Sequence, residues 1–174
     1  SMAGIARENF VPEKRRSVAY VDEDVEIAPG RFLIEAMAFA KLLQLAEIRP
    51  TDRVLHIGAG TGYGSAVIVP LARSVTALEG DASLASKARV NLASCHGVEV
   101  VEGPLDQGWP AAAPYDVIII EGRVGEVPQH VLHQLADNGR LVAVSGEGDV
   151  SKAMIWTAQG SGFASRPAFD ASVS

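Results

Sequence analysis

The chain has 174 residues, 48% apolar and 21% charged, the composition of one soluble globular domain with a substantial core and not of a disordered chain. Fifteen Lys and Arg against 21 Asp and Glu leave a net charge of −6, and Lys14-Arg15-Arg16 is the only dense basic run, which argues against a nucleic-acid partner. Cys95 is the single cysteine, so no intramolecular disulfide framework is available; with no apolar run of about 18 residues and no signal-peptide pattern, a cytoplasmic protein without membrane contact is expected.

Residues 1–30 carry Pro12, the acidic run Asp22-Glu23-Asp24 and Pro29-Gly30, and read as an irregular lead-in or a short helix plus loop ahead of a domain over 31–174. From Arg31 to Ile48, Lys41, Gln44 and Glu47 recur every third residue amid Phe32, Leu33, Met37, Phe39, Leu42, Leu43 and Leu45. That pattern predicts a helix buried on most of its circumference and ended by Pro50. Strand and helix then alternate. Arg53–Ile57 is a strand entering a glycine cluster, Ser65–Ala72 a helix whose last turn Pro70 limits, and Ser74–Glu79 a second strand. Asp81 caps a helix with Leu84, Ala88, Leu92 and Cys95 on its apolar face and Gly97 just past its end. Val98–Glu102 is a third strand, and Asp116–Glu121, with four consecutive β-branched residues, a central strand buried on both faces. Pro128 opens a helix carrying Val131, Leu132 and Leu135 that Gly139 closes. Arg140–Ser145 and Ala153–Thr157 are the last strands, followed by a hairpin-like tail to Phe169. This alternation predicts an α/β fold with an open, mostly parallel sheet, and ligands in such sheets bind at the carboxyl ends of the strands where the strand order reverses.

The sharpest feature is His56-Ile57-Gly58-Ala59-Gly60-Thr61-Gly62-Tyr63-Gly64, directly after a strand and before a helix. Glycines there let the chain turn tightly and let a ligand approach the peptide groups. A dinucleotide fingerprint needs its third glycine at position 63, where Tyr63 stands, so nicotinamide binding is disfavoured; the absence of Gly-Lys-Ser/Thr excludes a P-loop. The spacing Gly58-x-Gly60-x-Gly62 is typical of S-adenosylmethionine-dependent methyltransferases. Glu79, at the end of the next strand, is placed to accept both hydroxyl hydrogens of a ribose.

On these residues the chain resembles the protein-L-isoaspartate O-methyltransferases. Phe10-Val11-Pro12 and Ala19-Tyr20-x-Asp22 are similar to that family's stretch before its cofactor domain, and Arg53-Val54-Leu55-x-Ile57-Gly58-x-Gly60-x-Gly62-Tyr63 to its first cofactor motif. Gly108-Trp109-Pro110, Ala113-Pro114-Tyr115-Asp116, Val127-Pro128, Gln134-Leu135 and Gly139-Arg140-Leu141-Val142 follow in the family's order. The resemblance implies a Rossmann-like methyltransferase fold with seven strands, the last pair antiparallel, helices on both faces, and an N-terminal lead-in shorter than the family's. It also implies S-adenosyl-L-methionine as cofactor and a protein or peptide carboxylate as acceptor. The implied cofactor-binding residues are Gly58, Ala59, Gly60, Thr61, Gly62, Tyr63, Glu79, Gly80, Gly103, Pro104 and Leu105.

Three departures make this a divergent member. The family's substrate motif Gly-Gln-Thr-Ile-Ser-Gln-Pro aligns with Gly30-Arg31-Phe32-Leu33-Ile34-Glu35-Ala36, so Ile34 replaces the serine whose hydroxyl meets the acceptor carboxylate, and no catalytic residue is assigned. An apolar side chain donates no hydrogen bond to a carboxylate, and Glu35 would repel one. The alternative reading of this stretch is the opening of the buried helix. Gly103-Pro104-Leu105 replaces the family's Gly-Asp-Gly, leaving adenine to apolar packing and backbone groups, with Asp106 a weaker substitute for the missing Asp. His56 replaces an acid at the strand end and reads as a packed or supporting residue. Elsewhere, Arg31 reads as a solvated residue in preference to a partner for an anionic substrate. Cys95 reads as core, His130 and His133 as solvent-facing and not a metal pair, and Trp109 and Tyr115 as packing either the adenine side or the sheet's end. Two functions remain: a methyltransferase of this family with an altered acceptor site, or a catalytically degenerate S-adenosylmethionine-binding or protein-interaction domain.

Overall fold

The β-branched run at 117–120 builds the middle of the sheet. In the computed structural model, which describes residues 5–12, 25–29, 31–33, 36–145 and 152–170, Val117 and Ile119 point to one layer and Ile118 and Ile120 to the other, all four buried. Strand period 2 thus divides one apolar run between two cores.

The chain order is β1 (Val25–Ala28), β2 (Arg31–Leu33), α1 (Ala36–Ala46), β3 (Arg53–Ile57), α2 (Tyr63–Ile68), β4 (Ser74–Glu79), α3 (Ala82–Asn91), β5 (Val98–Glu102), β6 (Tyr115–Val124), α4 (Gln129–Leu132), β7 (Leu135–Ser145), β8 (Lys152–Gln159) and β9 (Gly162–Asp170). Strands β3 to β9 form one seven-stranded sheet in the order β5-β4-β3-β6-β7-β8-β9. The first five of these positions are parallel, and β8 runs antiparallel to both β7 and β9. One layer packs α1, α2 and α3 on Val54, Val75, Val117 and Val142; the other packs α4 on Leu55, Leu78, Ile118 and Leu141. The expected α/β architecture, with helices on both faces of a mostly parallel sheet, is the one observed. No helix among the described residues is long and apolar enough to cross a membrane.

Several local expectations are corrected. The helix does not begin at Arg31: Arg31–Leu33 pairs antiparallel with Val25–Ala28 as a separate two-stranded ribbon, and α1 starts at Ala36. Nor does Pro50 end that helix. Glu47 adopts φ 49°, and Arg140 donates to the carbonyls of Ala46 (2.5 Å) and Glu47 (2.5 Å), satisfying the terminal acceptors four residues earlier than the proline. The polar stripe Lys41, Gln44 and Glu47 is exposed as predicted, but so is Met37, at 56%. Helix α2 begins two residues early and gives way to a 3-10 turn at Val69–Leu71 around Pro70.

Asp81 caps α3 by accepting from the Leu84 N–H (3.0 Å), but the helix stops at Asn91. Cys95 therefore lies beyond it, half-buried against the core, and Gly97 leads into β5 without capping the helix. Helix α4 is a single turn. Leu135 already belongs to β7, and Gly139 sits where a Cβ would come within 2.8 Å of the Ala136 carbonyl, so it serves an irregular strand entry and not a helix end. Tyr115, buried at the start of β6, donates to the Trp109 carbonyl and closes the end of the sheet remote from the glycine loop.

Candidate active site

The carboxyl ends of β3, β4 and β6 converge where the strand order reverses, because the chain leaves β3 for β4 on one side and returns to β6 on the other. The loop after β3 is held down by Gly58 and Ala59 N–H groups donating to the Leu78 carbonyl (2.9 and 3.1 Å). Gly58 has φ 84°, and a Cβ on it would lie 2.8 Å from the Glu121 carbonyl, so only glycine passes here. Gly60 has φ 58°; its missing Cβ leaves room for Ile27 of the ribbon, whose Cδ1 would otherwise stand 2.8 Å away.

Glu79 ends β4 with its side chain fully buried. Its Oε1 accepts from the Gly60 N–H (2.7 Å) and Oε2 from the Asp81 N–H (2.9 Å). The Arg31 guanidinium adds a two-pronged pair, Nη2 to Oε1 and Nη1 to Oε2, both 2.6 Å. Burial pushes the Glu79 carboxyl up, but Arg31 and the Asp81 and Gly60 amides together outweigh it and hold the group below its ordinary value. The bond to Glu79 raises Arg31 in turn, against the opposing effect of burial. Arg31 is thus no solvated residue. The helix reading of its segment hid the ribbon that carries it to Glu79.

A second buried network lies across β3. His56 Nδ1 is 2.7 Å from Ser65 Oγ and its Nε2 is 2.9 Å from Glu121 Oε1. His56 and Ser65 are fully buried, and the Glu121 side chain is 5% exposed. Against an ionised Glu121, Nε2 must carry the hydrogen. A cavity of about 310 Å³ opens beside it, lined by Gly58, Ile120 and Glu121 from the strand ends and by Leu105, Asp106 and Val131 opposite.

The remaining sequence-assigned residues divide into two groups. Gly80, Gly103 and Leu105 come together at the ends of β4 and β5: a Cβ on Gly80 would lie 3.4 Å from the Gly103 carbonyl and 3.5 Å from Leu105. Pro104 precedes the 3-10 turn Leu105–Gln107. Thr61 and Tyr63 meet the N-terminal segment: Thr61 donates to the Phe10 carbonyl, and the Tyr63 ring meets Phe10 edge-on at 5.5 Å, with Arg7 5.0 Å above it. Ile34 and Glu35 lie outside the described residues. His130 donates to the Asp106 carbonyl (2.5 Å), and His133 to the Gln129 carbonyl (2.7 Å). The sequence reading missed Glu121 and Ser65 as site residues. Glu121 appeared only as a strand end, and its pairing with His56 follows from β3 and β6 being neighbours, which no local pattern reports.

The family model for protein-L-isoaspartate(D-aspartate) O-methyltransferase matches residues 1–163. The chain is 40% identical over 148 residues to the protein-L-isoaspartate O-methyltransferase of Methanoculleus marisnigri, covering 84% of this chain and 67% of that one. The chain belongs to the protein-L-isoaspartate O-methyltransferase family. A second member, protein-L-isoaspartate O-methyltransferase 1 of Rhodopseudomonas palustris, is 38% identical over 144 residues, 82% of this chain and 59% of its own. The chain therefore spans about six-tenths to two-thirds of these relatives' length.

Solved structures share the fold. A protein-L-isoaspartate O-methyltransferase superposes with TM-score 0.83 at 23% identity, over 97% of this chain and 57% of its own. A Plasmodium falciparum beta-aspartate methyltransferase in complex with S-adenosyl-L-homocysteine superposes with TM-score 0.78 at 18% identity, over 96% and 84%.

Proposed function

We propose that this chain binds S-adenosyl-L-methionine at the carboxyl ends of β3 and β4 and transfers its methyl group to a carboxylate of a protein or peptide, acting in the cytoplasm. The observation that carries the reading is the direct bond from the Gly60 N–H to Glu79, which ties the glycine loop and the acidic strand end together. Residues 31–174 make up the cofactor domain in this reading, with 1–30 as its lead-in. Gly58, Ala59 and Gly60 present backbone to the ligand, and Glu79 takes the ribose hydroxyls. Gly80, Gly103, Pro104 and Leu105 face the base, while Thr61, Gly62 and Tyr63 fix the loop from behind. The cofactor supplies a methyl group already activated by its sulfonium charge. What the chain must add is alignment and exclusion of water, because an acceptor carboxylate is ionised at neutral pH and needs no base.

A second reading has an observation of its own. Arg31 occupies two of the four acceptor positions of Glu79 and the loop and α3 amides the other two, which supports a domain that has lost catalysis or turned to protein interaction. Calorimetric titration separates the readings. Binding of S-adenosylhomocysteine but not of NAD supports the cofactor site, and methyl transfer to an isoaspartyl peptide supports catalysis. Absence of S-adenosylhomocysteine binding would overturn the donor assignment. Ile34→Ser tests the acceptor motif: isoaspartyl methylation should rise if the missing hydroxyl is the defect.

A further inference from the structure

His56, Ser65 and Glu121 form a carboxylate–imidazole–hydroxyl chain of the kind that activates a serine, but its polarity is reversed. Ser65 is the fully buried end, so it cannot attack a substrate; Glu121, with 5% of its side chain exposed, is the member of the chain that borders the cavity. A chain built this way steers an acid. His56, immobilised by Ser65 on one side, aims its other nitrogen at Glu121 Oε1 and fixes the carboxylate just past the last β3–β6 pair, Ile57 with Ile120.

Gly64 belongs to the same set. A Cβ there would lie 2.5 Å from Glu121 Oε1 and 2.7 Å from His56 Cε1, so the helix leaves out a side chain where the pair passes.

Glu121 and Glu79 flank the glycine loop from the two neighbours of β3, about 10 Å apart by two strand spacings. In the donor reading proposed above, on which this inference rests, the ribose lies on Glu79 and the base toward β5. The amino-acid arm must then leave the ribose on the other side, across β3 and toward β6. That arm ends in an α-ammonium group, a donor-only cation that a fixed, shielded carboxylate matches in charge and hydrogen-bonding sense.

We infer that Glu121 is a donor-binding residue that receives the α-ammonium of the cofactor's amino-acid arm, with His56 as its positioning residue. The pair of ligands that tests this is S-adenosylhomocysteine and 5′-methylthioadenosine, which share the nucleoside and differ in the amino-acid arm. Calorimetry on Glu121→Gln should show S-adenosylhomocysteine weakened about ten- to a hundredfold, the range of one charge-assisted hydrogen bond, while 5′-methylthioadenosine changes by less than about twofold. Retained 5′-methylthioadenosine affinity also reports an intact fold. His56→Gln, which keeps an N–H donor facing Glu121, should preserve S-adenosylhomocysteine affinity where His56→Leu loses it. Equal weakening of both ligands, or no change in either, overturns the assignment of Glu121 and leaves the donor site standing. Failure of the wild-type protein to bind either ligand overturns both.

Discussion

The pair between Arg31 and Glu79 yields the sharpest prediction, because a ribose and a guanidinium compete for the same oxygens. Glu79 has about four acceptor positions, and all are taken: one each by the Gly60 and Asp81 amides and two by Arg31. The amides belong to the backbone itself, so a ribose diol gains access only if Arg31 leaves. Arg31 is the mobile partner on geometric grounds also: its side chain is 28% exposed and rides on the two-stranded ribbon outside the main sheet, whereas Glu79 is fully buried. Hydrogen bonds to charged groups contribute about 1.5–3 kcal/mol. Arg31→Ala should therefore tighten S-adenosylhomocysteine roughly ten- to a hundredfold, while lowering stability by about 1–3 kcal/mol because Glu79 keeps only its two amide donors.

The stability difference has a pH signature. The folded Glu79 carboxyl lies below its ordinary value of 4.5, so the pair's contribution is complete above about 4.5 and disappears as the pH falls through the lower folded value. Urea unfolding of wild type and Arg31→Ala should differ at pH 7 and converge as the pH is lowered below 4.5. If Arg31→Ala binds S-adenosylhomocysteine no more tightly than wild type, the guanidinium is not a competitor and the reasoning fails. A loss of affinity would make Arg31 part of the ligand site instead.

Three further substitutions probe the elements that shape the site. Gly64→Ala forces a Cβ to 2.5 Å from Glu121 Oε1 and should destabilise by about 1–3 kcal/mol, read as a lowered midpoint in thermal unfolding. Arg140→Met removes the donor to the Ala46 and Glu47 carbonyls and to Asp52 (2.8 Å); about 2–4 kcal/mol should be lost, with increased amide exchange at the end of α1. Asp81→Ala removes the cap of α3 at the Leu84 amide and should lower stability by about 1 kcal/mol in urea titration, without changing the extent of the sheet.

Most of the sheet was legible because its strands are short apolar runs bounded by turn residues. Arg53–Ile57, Ser74–Glu79 and Val98–Glu102 fall where the sequence pattern places them. The failures share a cause. Phe32 and Leu33 satisfy a helical period as well as they satisfy a strand, and what decides is pairing with Val25–Ala28, a partner that no window over 31–48 contains. In the same way Leu135 fits the apolar face of a helix from Pro128, yet it starts a strand beside Tyr115. Helix α1 ends early because Arg140, 94 residues from Ala46, reaches its carbonyls.

The site divides along the same line. Gly58, Gly60 and Glu79 could be named from spacing because their requirements are local: a tight turn after one strand and an acid at the end of the next. The substitutions that distinguish this chain are not local. His56 in place of an acid looks like the loss of a charge when β3 is read alone. Once β6 is set beside β3, Glu121 returns a carboxylate to the same strand-end row, His56 becomes its hydrogen-bond donor, and Gly64 supplies the space both need. Neither His56 nor Glu121 nor Gly64 explains itself singly. Their physical sense is a joint one, so Glu121→Gln and His56→Leu should disturb the same ligand arm, whereas changes at Glu79 should disturb the nucleoside.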